Sequence, residues 1–432
     1  MDALSRTPVV TCFLQRRGRI LLLRRSDRVG TYQGMWAGVS GYVERVPLEQ
    51  AFVEIGEEAG LGPDDVRLEG IGTPTPVDDD DQDRHWLVYP FVFTVRPHAS
   101  VRMDWESAEL RWVEPEALAE HDTVPGLPEV FRAVWPPFGS RSLWKVAQAV
   151  AADRTSGSTH LAIKALRALW GFARKREAHA PDALLRAARA LAALRPSMGV
   201  IAHVMALALV HPDADTGLAQ EIADASKCCA LLAAKALLRA RRVVTYSASS
   251  VCETALRVWR TMGRDGEVLI AESRPRLVGS ALAERLAEAG VSVRLITDAQ
   301  IGLALREADA LLVGADAITD DGRLVNKVGT EVAVMAAREF GVPAYAVCQT
   351  HKIAPPGWLI ALERQEPADV YPTRDFRVQN IAFDATPLSW FTQTITEYGP
   401  LSRRVLQEVR AGLAQSPLVF RGPRRGATQR DG

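Results

Sequence analysis

The sequence predicts a mixed α/β chain in which an α+β domain precedes a helical region and a doubly wound parallel sheet. Up to about Trp135, short β-branched and aromatic runs surround one helical run, which is typical of an α+β domain. After Arg242, short apolar strands alternate with amphipathic helices, as in parallel sheets covered by helices. The 432 residues are too many for a single hydrophobic core.

The first domain, residues 1–135, is predicted from its strands and its helix. One helix is expected over Leu48–Ala59, and Pro136-Pro-Phe-Gly139 forms the linker that ends the domain. Strands are predicted from three β-branched and aromatic runs: Val9–Leu14, Ile20–Leu23 and Trp86–Val95.

A helical subdomain is predicted for residues 140–240, where the chain becomes rich in Ala, Leu and Arg. Apolar residues recur there at helical spacing, as at Leu161, Ala165, Leu166 and Leu169.

The parallel sheet is predicted for residues 241–420, and the polar Gly/Arg-rich tail 421–432 is expected to be disordered. A further helix is expected from about Glu331. The predicted strands are Val243–Tyr246, Val268–Ala271, Val291–Ile296, Ala310–Val313 and Ala344–Val347. Ligands bind beyond the carboxyl ends of such strands. Small or polar residues follow all five: Ser247, Glu272-Ser273-Arg274, Thr297-Asp298, Gly314-Ala315-Asp316 and Gln349-Thr350-His351.

Charge and cysteine content argue against several classes of protein. The 52 basic and 52 acidic side chains cancel, so bulk charge favours neither nucleic-acid nor membrane-surface binding. The first ten residues lack a signal-peptide pattern, and apolar runs such as Val204 to Val210 are too short to span a bilayer. Five cysteines without CxxC spacing indicate neither disulfides nor zinc. We therefore expect a soluble cytoplasmic protein.

Three glutamates mark a candidate metal site on the predicted helix of the first domain. Glu54, Glu57 and Glu58 fall at positions i, i+3 and i+4, so a helix brings them to one face. A hard divalent cation, Mg²⁺ or Mn²⁺, stabilises such a group and shares its ligand shell with phosphate. Metal-assisted attack of water on a diphosphate is the chemistry expected there. The alternative interpretation is a solvated acidic face.

The segment around these glutamates resembles the Nudix box. It runs from Trp36-Ala-Gly-Val-Ser-Gly-Tyr-Val-Glu44 into Pro47–Leu61 with its Glu-x-x-Glu-Glu core, and the resemblance covers roughly the first 135 residues. It implies a Nudix α/β/α sandwich with catalytic, metal-binding glutamates and a nucleoside diphosphate substrate. The family's arginine before the first helical glutamate is Val53 here. Glu44 is the nearest counterpart of its loop glutamate.

Other acidic and aromatic residues of the first domain have two interpretations each. The run Asp78–Asp81 either adds a metal or basic-substrate contact or is simply solvated. Asp104 and Glu106 offer a further metal ligand or form a surface pair. Trp36 and Trp86 either stack on a base or pack in the core.

A phosphate site is expected in the second half of the chain. Gly157-Ser158 opens a helix whose free N–H groups can bind phosphate, and Asp316 at a strand end is a candidate acid/base or a turn cap. Arginine forks suit phosphate but also form surface salt bridges. The substrate-binding candidates are Gly157, Ser158, Arg195, Arg274, Asn326 and Lys327.

Together these segments, with Phe383-Asp-Ala-Thr-Pro387, resemble the family of initiation factor 2B alpha, beta and delta subunits over about residues 140–408. That family includes methylthioribose-1-phosphate and ribose-1,5-bisphosphate isomerases. The resemblance implies a Rossmann-like fold, a nucleotide or sugar-phosphate ligand and a homodimer or higher homo-oligomer. The isomerases use a cysteine and an aspartate, which fall on Ser247 and Asp316 here. The alternative is a regulatory sensor of nucleotides or sugar phosphates without isomerase activity.

Overall fold

The structure is a computed structural model that describes residues 6–138, 140–175, 182–211, 217–263, 265–373 and 375–418. The chain divides into two compact units, one of Met1–Ser197 with Ala361–Phe383 and one of Met198–Ile360 with Asp384–Gly432. The helical region predicted for residues 140–240 is therefore divided between the units. The tail predicted to be disordered, 421–432, lies outside the described residues.

An eight-stranded mixed sheet forms the centre of the first unit within its described residues. The strands are β1 (Thr7–Arg16), β2 (Arg19–Arg25), β3 (Trp36–Ala37), β4 (Val39–Tyr42), β5 (Val66–Ile71), β6 (Thr75–Asp79), β7 (Arg84–Val95) and β8 (Ser107–Val113). The order is β3-β2-β1-β7-β5, with β4 on β1, β6 on β7 and β8 on β2. Long parallel pairing of β1 with β7 buries both strands. The three strands predicted for this domain are confirmed.

Helix α1 (Pro47–Ala59) confirms the predicted helix and carries the three glutamates. Pro47 occupies the first turn, where its missing N–H costs nothing, and Gly60 ends the helix at φ 63°. Leu48, Ala51 and Ile55 are buried on one face, and this burial fixes how the helix is rotated against the sheet.

Among its described residues, the first unit has four further α-helices, which are α2 (Leu127–Arg132), α3 (Arg141–Ala151), α4 (Ser158–Ala173) and α5 (Ala183–Ala192). Leu161, Ala165, Leu166 and Leu169 are all buried on α4, as their spacing predicted. Segment 361–383 also joins this unit, although in the chain it lies between strands β15 and β17 of the second unit.

The second unit contains a largely parallel sheet of order β11-β10-β9-β12-β15-β17-β18. Its strands are β9 (Arg242–Tyr246), β10 (Glu267–Ala271), β11 (Ser292–Ile296), β12 (Ala310–Val313), β15 (Ala344–Val347), β17 (Gln393–Thr396) and β18 (Gly399–Pro400). A second, three-stranded sheet contains β13 (Ala317–Ile318), β14 (Arg323–Lys327) and β16 (Phe383–Pro387). All five predicted strands and the mixed α/β class are confirmed.

Helices cover both faces of this sheet, as the apolar clusters on its two sides show. One face is covered by α7 (Gly217–Ala236), α8 (Ser250–Thr261) and α9 (Val278–Glu288), and the other by α10 (Ile301–Arg306), α11 (Thr330–Glu339) and α12 (Arg403–Leu413). Helix α6 (Gly199–Val210) also belongs to this unit. The strand order reverses between β9 and β12, which places a ligand crevice at their carboxyl ends. Nowhere in the described part of the chain does a helix combine the length and apolar character of a bilayer span.

Candidate functional site

A cavity of about 430 Å³ opens in the first unit against helix α1. Four carboxylates among the described residues line it, those of Glu44, Glu54, Glu57 and Glu106. Tyr42 and Trp86 line it as well, and their rings lie 5.9 Å apart. We call it the glutamate cavity. The cavity thus has carboxylates and aromatic rings in its lining. This combination suits a nucleotide that carries a bound cation.

Glu54 is held in place from two sides. Its Oε1 accepts a hydrogen bond of 2.7 Å from Gln50 Nε2, one turn earlier on the helix. Its carboxylate also lies against Gly41, where a Cβ atom would stand 2.0 Å from Glu54 Oε1. Burial, followed by repulsion from Glu57 and Glu106, raises the pKa of Glu54 to about 7. A cation in the cavity would relieve this repulsion.

Glu58 does not line the cavity. Its side chain is buried, and its Oε1 accepts the Ser40 N–H at 2.9 Å. Burial raises the pKa of Glu58 well above its ordinary value, although the bond from Ser40 opposes the shift. The predicted face of three glutamates is thus divided, because Glu58 holds strand β4 while Glu54 and Glu57 line the cavity.

Glu106 joins the two helix glutamates from a different part of the chain. Burial and the neighbouring Asp104 raise the pKa of Glu106. Asp104 itself accepts the Glu106 N–H at 3.0 Å, so it fixes the turn that presents Glu106.

Three other candidates of the first domain, Asp78, Asp79 and Trp36, have structural partners. Asp78 pairs with Arg6 at 2.6 Å, and Asp79 accepts the Tyr32 hydroxyl at 2.7 Å. Trp36 is 7% exposed and packs beneath Arg111, so it does not line the cavity. The contribution of Gln50 and Tyr42 was missed, since neither spacing nor charge distinguishes them in the sequence.

Among the described residues that line the cavity, the side chains able to coordinate a metal do so through oxygen atoms. Within the described residues, no three His, Cys, Asp or Glu side chains stand close enough to form a metal site by themselves. Mg²⁺ usually keeps several waters and takes only one or two carboxylates together with substrate phosphates. Glu54, Glu57 and Glu106 fit that kind of partial, open ligand set.

The phosphate candidates of the first unit differ in availability. Helix α4 begins at Ser158 after Gly157, as predicted, and no side chain caps it. Arg195 is 3% exposed, and its Nε and Nη2 donate to Glu363 at 3.0–3.2 Å. Of the two interpretations given for the arginines, a phosphate-binding fork or a surface salt bridge, Arg195 forms a salt bridge, and that salt bridge is buried. Arg154, which lies shortly before Gly157 in the chain and was not among the predicted site residues, forms an ion pair with Glu49 of helix α1.

In the second unit, hydrogen bonds connect three strand ends. The Ser247 N–H donates to Ser273 Oγ at 3.0 Å, after β9 and β10 respectively. The N–H groups of Ser273 and Arg274 donate to the two carboxylate oxygens of Asp298, at 2.8 and 2.7 Å. Ser247 has a φ of 66°, in the left-handed region. The geometry brings Ser247 and Arg274 into one polar cluster.

Asp316 follows the end of strand β12, and Asn326 lies in strand β14. The Asp316 N–H donates to the Val325 carbonyl at 2.8 Å, and the buried Asn326 amide donates to Thr330 Oγ1 at 2.9 Å. Lys327 follows Asn326 at the end of β14. Buried Lys352, missed in the sequence, donates to the carbonyl of Ala315.

The start of helix α11 has a cap that the sequence did not reveal. Asp384 Oδ2 accepts the N–H groups of Gly329 and Glu331 at 2.7 and 3.0 Å. Burial raises the pKa of Asp384 to about 7 against these bonds. The helix terminus beside Lys327 is thus already occupied by a carboxylate.

Comparison with known proteins identifies both parts of the chain. Residues 5–134 match the model of the NUDIX domain, and residues 154–403 match that of the initiation factor 2 subunit family. The similarity to ribose 1,5-bisphosphate isomerase of Archaeoglobus fulgidus is 36% identity over 166 residues, 37% of this chain and 53% of that protein. The chain therefore spans about half the length of the first curated relatives it matches.

Longer matches exist as well. Ribose 1,5-bisphosphate isomerase of Haloterrigena turkmenica is 30% identical over 287 residues, 59% of this chain and 88% of that protein. The structure of translation initiation factor eIF-2B from Pyrococcus horikoshii aligns with a TM-score of 0.54 and 28% identity, over 62% of this chain and 100% of that chain. A second structure, the tetrameric eIF2B-beta2-delta2 complex from C. thermophilum, shares the fold at 22% identity, with a TM-score of 0.51 over 63% of this chain and 94% of that chain. With more than half of its length matched, the chain belongs to the initiation factor 2 subunit family and carries a NUDIX domain ahead of that region.

Proposed function

We propose that the NUDIX domain hydrolyses a nucleoside diphosphate derivative with the help of Mg²⁺ or Mn²⁺. The observation that carries this proposal is the glutamate cavity, in which Glu54, Glu57 and Glu106 line the same space as Trp86. The carboxylates suit a cation with diphosphate, and the indole ring suits a base.

Each residue has a distinct task in the proposed reaction. A bound divalent cation supplies charge neutralisation at the attacked phosphate and a more acidic water. Glu57, exposed at the cavity, accepts the proton of the attacking water. Glu54 is oriented by Gln50 for cation binding. Glu58 acts indirectly, because it fixes Ser40 and hence the strand that faces Glu54.

The test is turnover of the full chain with Mg²⁺ or Mn²⁺ on a panel that includes ADP-ribose, NADH and deoxynucleoside triphosphates. We expect Glu57→Gln to lower kcat at least about 100-fold, as removal of a general base does. Glu120→Gln is the matched control, since Glu120 is exposed and lines no part of the cavity. Absence of turnover on every substrate, or equal turnover in Glu57→Gln, contradicts the proposal.

We further propose that the second part of the chain binds or isomerises a ribose phosphate. Two relatives are named ribose 1,5-bisphosphate isomerase, and Ser247, Arg274 and Asp316 follow the carboxyl ends of strands β9, β10 and β12, where ligands bind in parallel sheets. The remaining candidates in this unit are Asn326 and Lys327. Turnover of ribose 1,5-bisphosphate that disappears in Asp316→Asn would support isomerisation.

A regulatory function without isomerisation is the second candidate. Ser247 favours it, because a serine hydroxyl is a much weaker acid than the thiol expected from the isomerases. Thermal-shift measurements with AMP, GMP and ribose phosphates test it, and a raised Tm without turnover is the expected result. Measured isomerase turnover rules out a purely regulatory role.

We also propose a homodimer or higher homo-oligomer. A related solved structure is a tetrameric complex, which supports assembly in this family. Light scattering of the purified chain measures the mass directly, and a value near the 47.2 kDa of one chain contradicts the proposal.

A further inference from the structure

A second cavity, of about 400 Å³, lies beside the glutamate cavity in the first unit. Glu44 lines both cavities, so they share a wall. The other lining residues all come from segment 361–383, and they are Arg364, Pro367, Arg377, Val378, Gln379 and Asn380. A segment of the chain that follows β15 therefore forms one side of a site next to the proposed hydrolase centre.

Ion pairs hold this segment beside the glutamate cavity. Arg45 lines that cavity, and its Nε and Nη2 donate to the two carboxylate oxygens of Glu366 at 2.7 and 3.0 Å. At the beginning of the segment, Glu363 forms the buried pair with Arg195. Near the end of the segment, the Asn380 side chain donates to the Glu366 carbonyl at 2.8 Å, and this bond fixes the two parts of the segment to each other. The second cavity is thus built on anchored backbone.

The charge of the second cavity is positive. Arg377 Nη2 lies 3.4 Å from Glu44 Oε1, so these two charges compensate each other. Arg364 is half-buried, and among the described residues no carboxylate lies within ion-pair distance of its guanidinium. The exposed amide of Gln379 adds hydrogen-bond donors. An uncompensated guanidinium with amide donors is suited to an oxyanion, above all to phosphate.

Resting on the hydrolysis proposed above, we propose that the second cavity binds a phosphomonoester of the same substrate. The substrate class is then a nucleoside diphosphate derivative that carries an additional phosphate group. Its diphosphate occupies the glutamate cavity, and the additional phosphate reaches past Glu44 to Arg364. The doubly charged phosphate also pairs with Arg377 once it displaces Glu44 from that arginine. Arg364 is in this arrangement a residue that determines substrate specificity.

The test uses substrate pairs that differ by one phosphomonoester, namely ADP-ribose with its 2′-phosphate, NADH with NADPH, and dephospho-coenzyme A with coenzyme A. For at least one pair we expect the wild-type KM of the phosphorylated member to be at least about tenfold lower. Arg364→Gln brings the ratio of the two KM values toward one. Arg132→Gln, which removes an exposed arginine that lines neither cavity, keeps the ratio.

Calorimetric titration of the Glu57→Gln chain separates this proposal from the hydrolysis itself, because binding is then measured without turnover. A preference for phosphorylated ligands that disappears on addition of Arg364→Gln supports the second cavity even if no substrate is hydrolysed. Arg377→Gln, at an exposed position, repeats the test without disturbing packing. Equal affinity within every pair, no binding of any phosphorylated member, or a preference that persists in both arginine variants overturns the proposal.

Discussion

Arg195 and Glu363 form an ion pair that is almost fully removed from water, with exposed side-chain fractions of 3% and 0%. The two residues are separated by 168 positions in the chain. Ser197 strengthens the connection, because its Oγ accepts the Glu363 N–H at 2.7 Å and donates to the Ala361 carbonyl at 2.8 Å. This pair joins segment 361–383 to the helical part of the first unit.

Removal of one partner of this pair is therefore expected to be costly. Glu363→Leu leaves the Arg195 guanidinium buried without its counter-charge, and we expect a loss of about 3–5 kcal/mol in the free energy of unfolding. Denaturant unfolding of the full chain measures it. The double variant Arg195→Met with Glu363→Leu should recover most of the loss, since two apolar side chains need no counter-charge. An unchanged stability of the single variant would show that water reaches the pair.

Gly41 allows a second prediction about the glutamate cavity. An alanine Cβ at this position would stand 2.0 Å from Glu54 Oε1. Because Glu54 has to move aside, we expect Gly41→Ala to lower kcat/KM at least about tenfold, which corresponds to about 1.4 kcal/mol. Gly30→Ala is the control, since a Cβ there meets no atom within 4 Å. Equal kinetics in both alanine variants would place Glu54 outside the reaction.

His203 makes the stability of the second unit depend on pH. Its ring is buried, Nδ1 lies 2.7 Å from the Ile353 carbonyl, and the ring centroid lies 5.4 Å from that of His351. Burial, followed by His351, lowers the pKa of His203 from 6.5 to about 3. Below pH 6.5 the unfolded chain therefore binds the proton and the folded chain does not, so stability falls as the pH falls toward 3.

The expected slope is at most about 1.4 kcal/mol per pH unit from this residue. His203→Asn keeps a donor toward Ile353 but cannot titrate, and its unfolding free energy should fall less steeply between pH 6.5 and pH 4.5. Denaturant unfolding at four or more pH values gives both slopes. His351, whose pKa burial also lowers, continues to titrate in both proteins, and parallel slopes would contradict the assignment to His203.

Ser247 permits a gain-of-function experiment in the second unit. A thiol at this strand end has a free pKa of about 8.5, far below that of a hydroxyl, so Ser247→Cys restores an acid that can exchange a proton near neutral pH. We expect isomerisation of ribose 1,5-bisphosphate to rise at least about tenfold in Ser247→Cys and to vanish when Asp316→Asn is added. Ser250→Cys, in the first turn of the following helix α8, is the control. Equal turnover in wild type and Ser247→Cys contradicts the prediction.

Local patterns predicted the elements of the fold well. Strands β9, β10, β12 and β15 agree with the apolar runs to within about a residue at each end, because a buried parallel strand has to be apolar throughout. Helix α1 differs from its prediction by Pro47 alone. These features depend on neighbouring residues, which is why the sequence alone was sufficient.

Features that depend on distant residues were not predictable in this way. The spacing of Glu54, Glu57 and Glu58 predicts one face, but the packing of α1 on β4 decides that Glu58 is buried. The buried partner of Arg195 could not be identified, because it lies far along the chain. Likewise, nothing local in segment 361–383 indicates that it belongs to the first unit.

The path of segment 361–383 has a consequence for how the two units are connected. The chain crosses from one unit to the other after Ser197, again after Ile360 and a third time after Phe383. No single cleavage of the backbone releases an intact first unit, and a fragment ending near residue 136 would lack the arginines of the second cavity. The two units are interlaced in covalent structure, so an insertion or deletion between Ala361 and Phe383 alters the unit that holds the glutamate cavity rather than the unit whose strands precede and follow this segment.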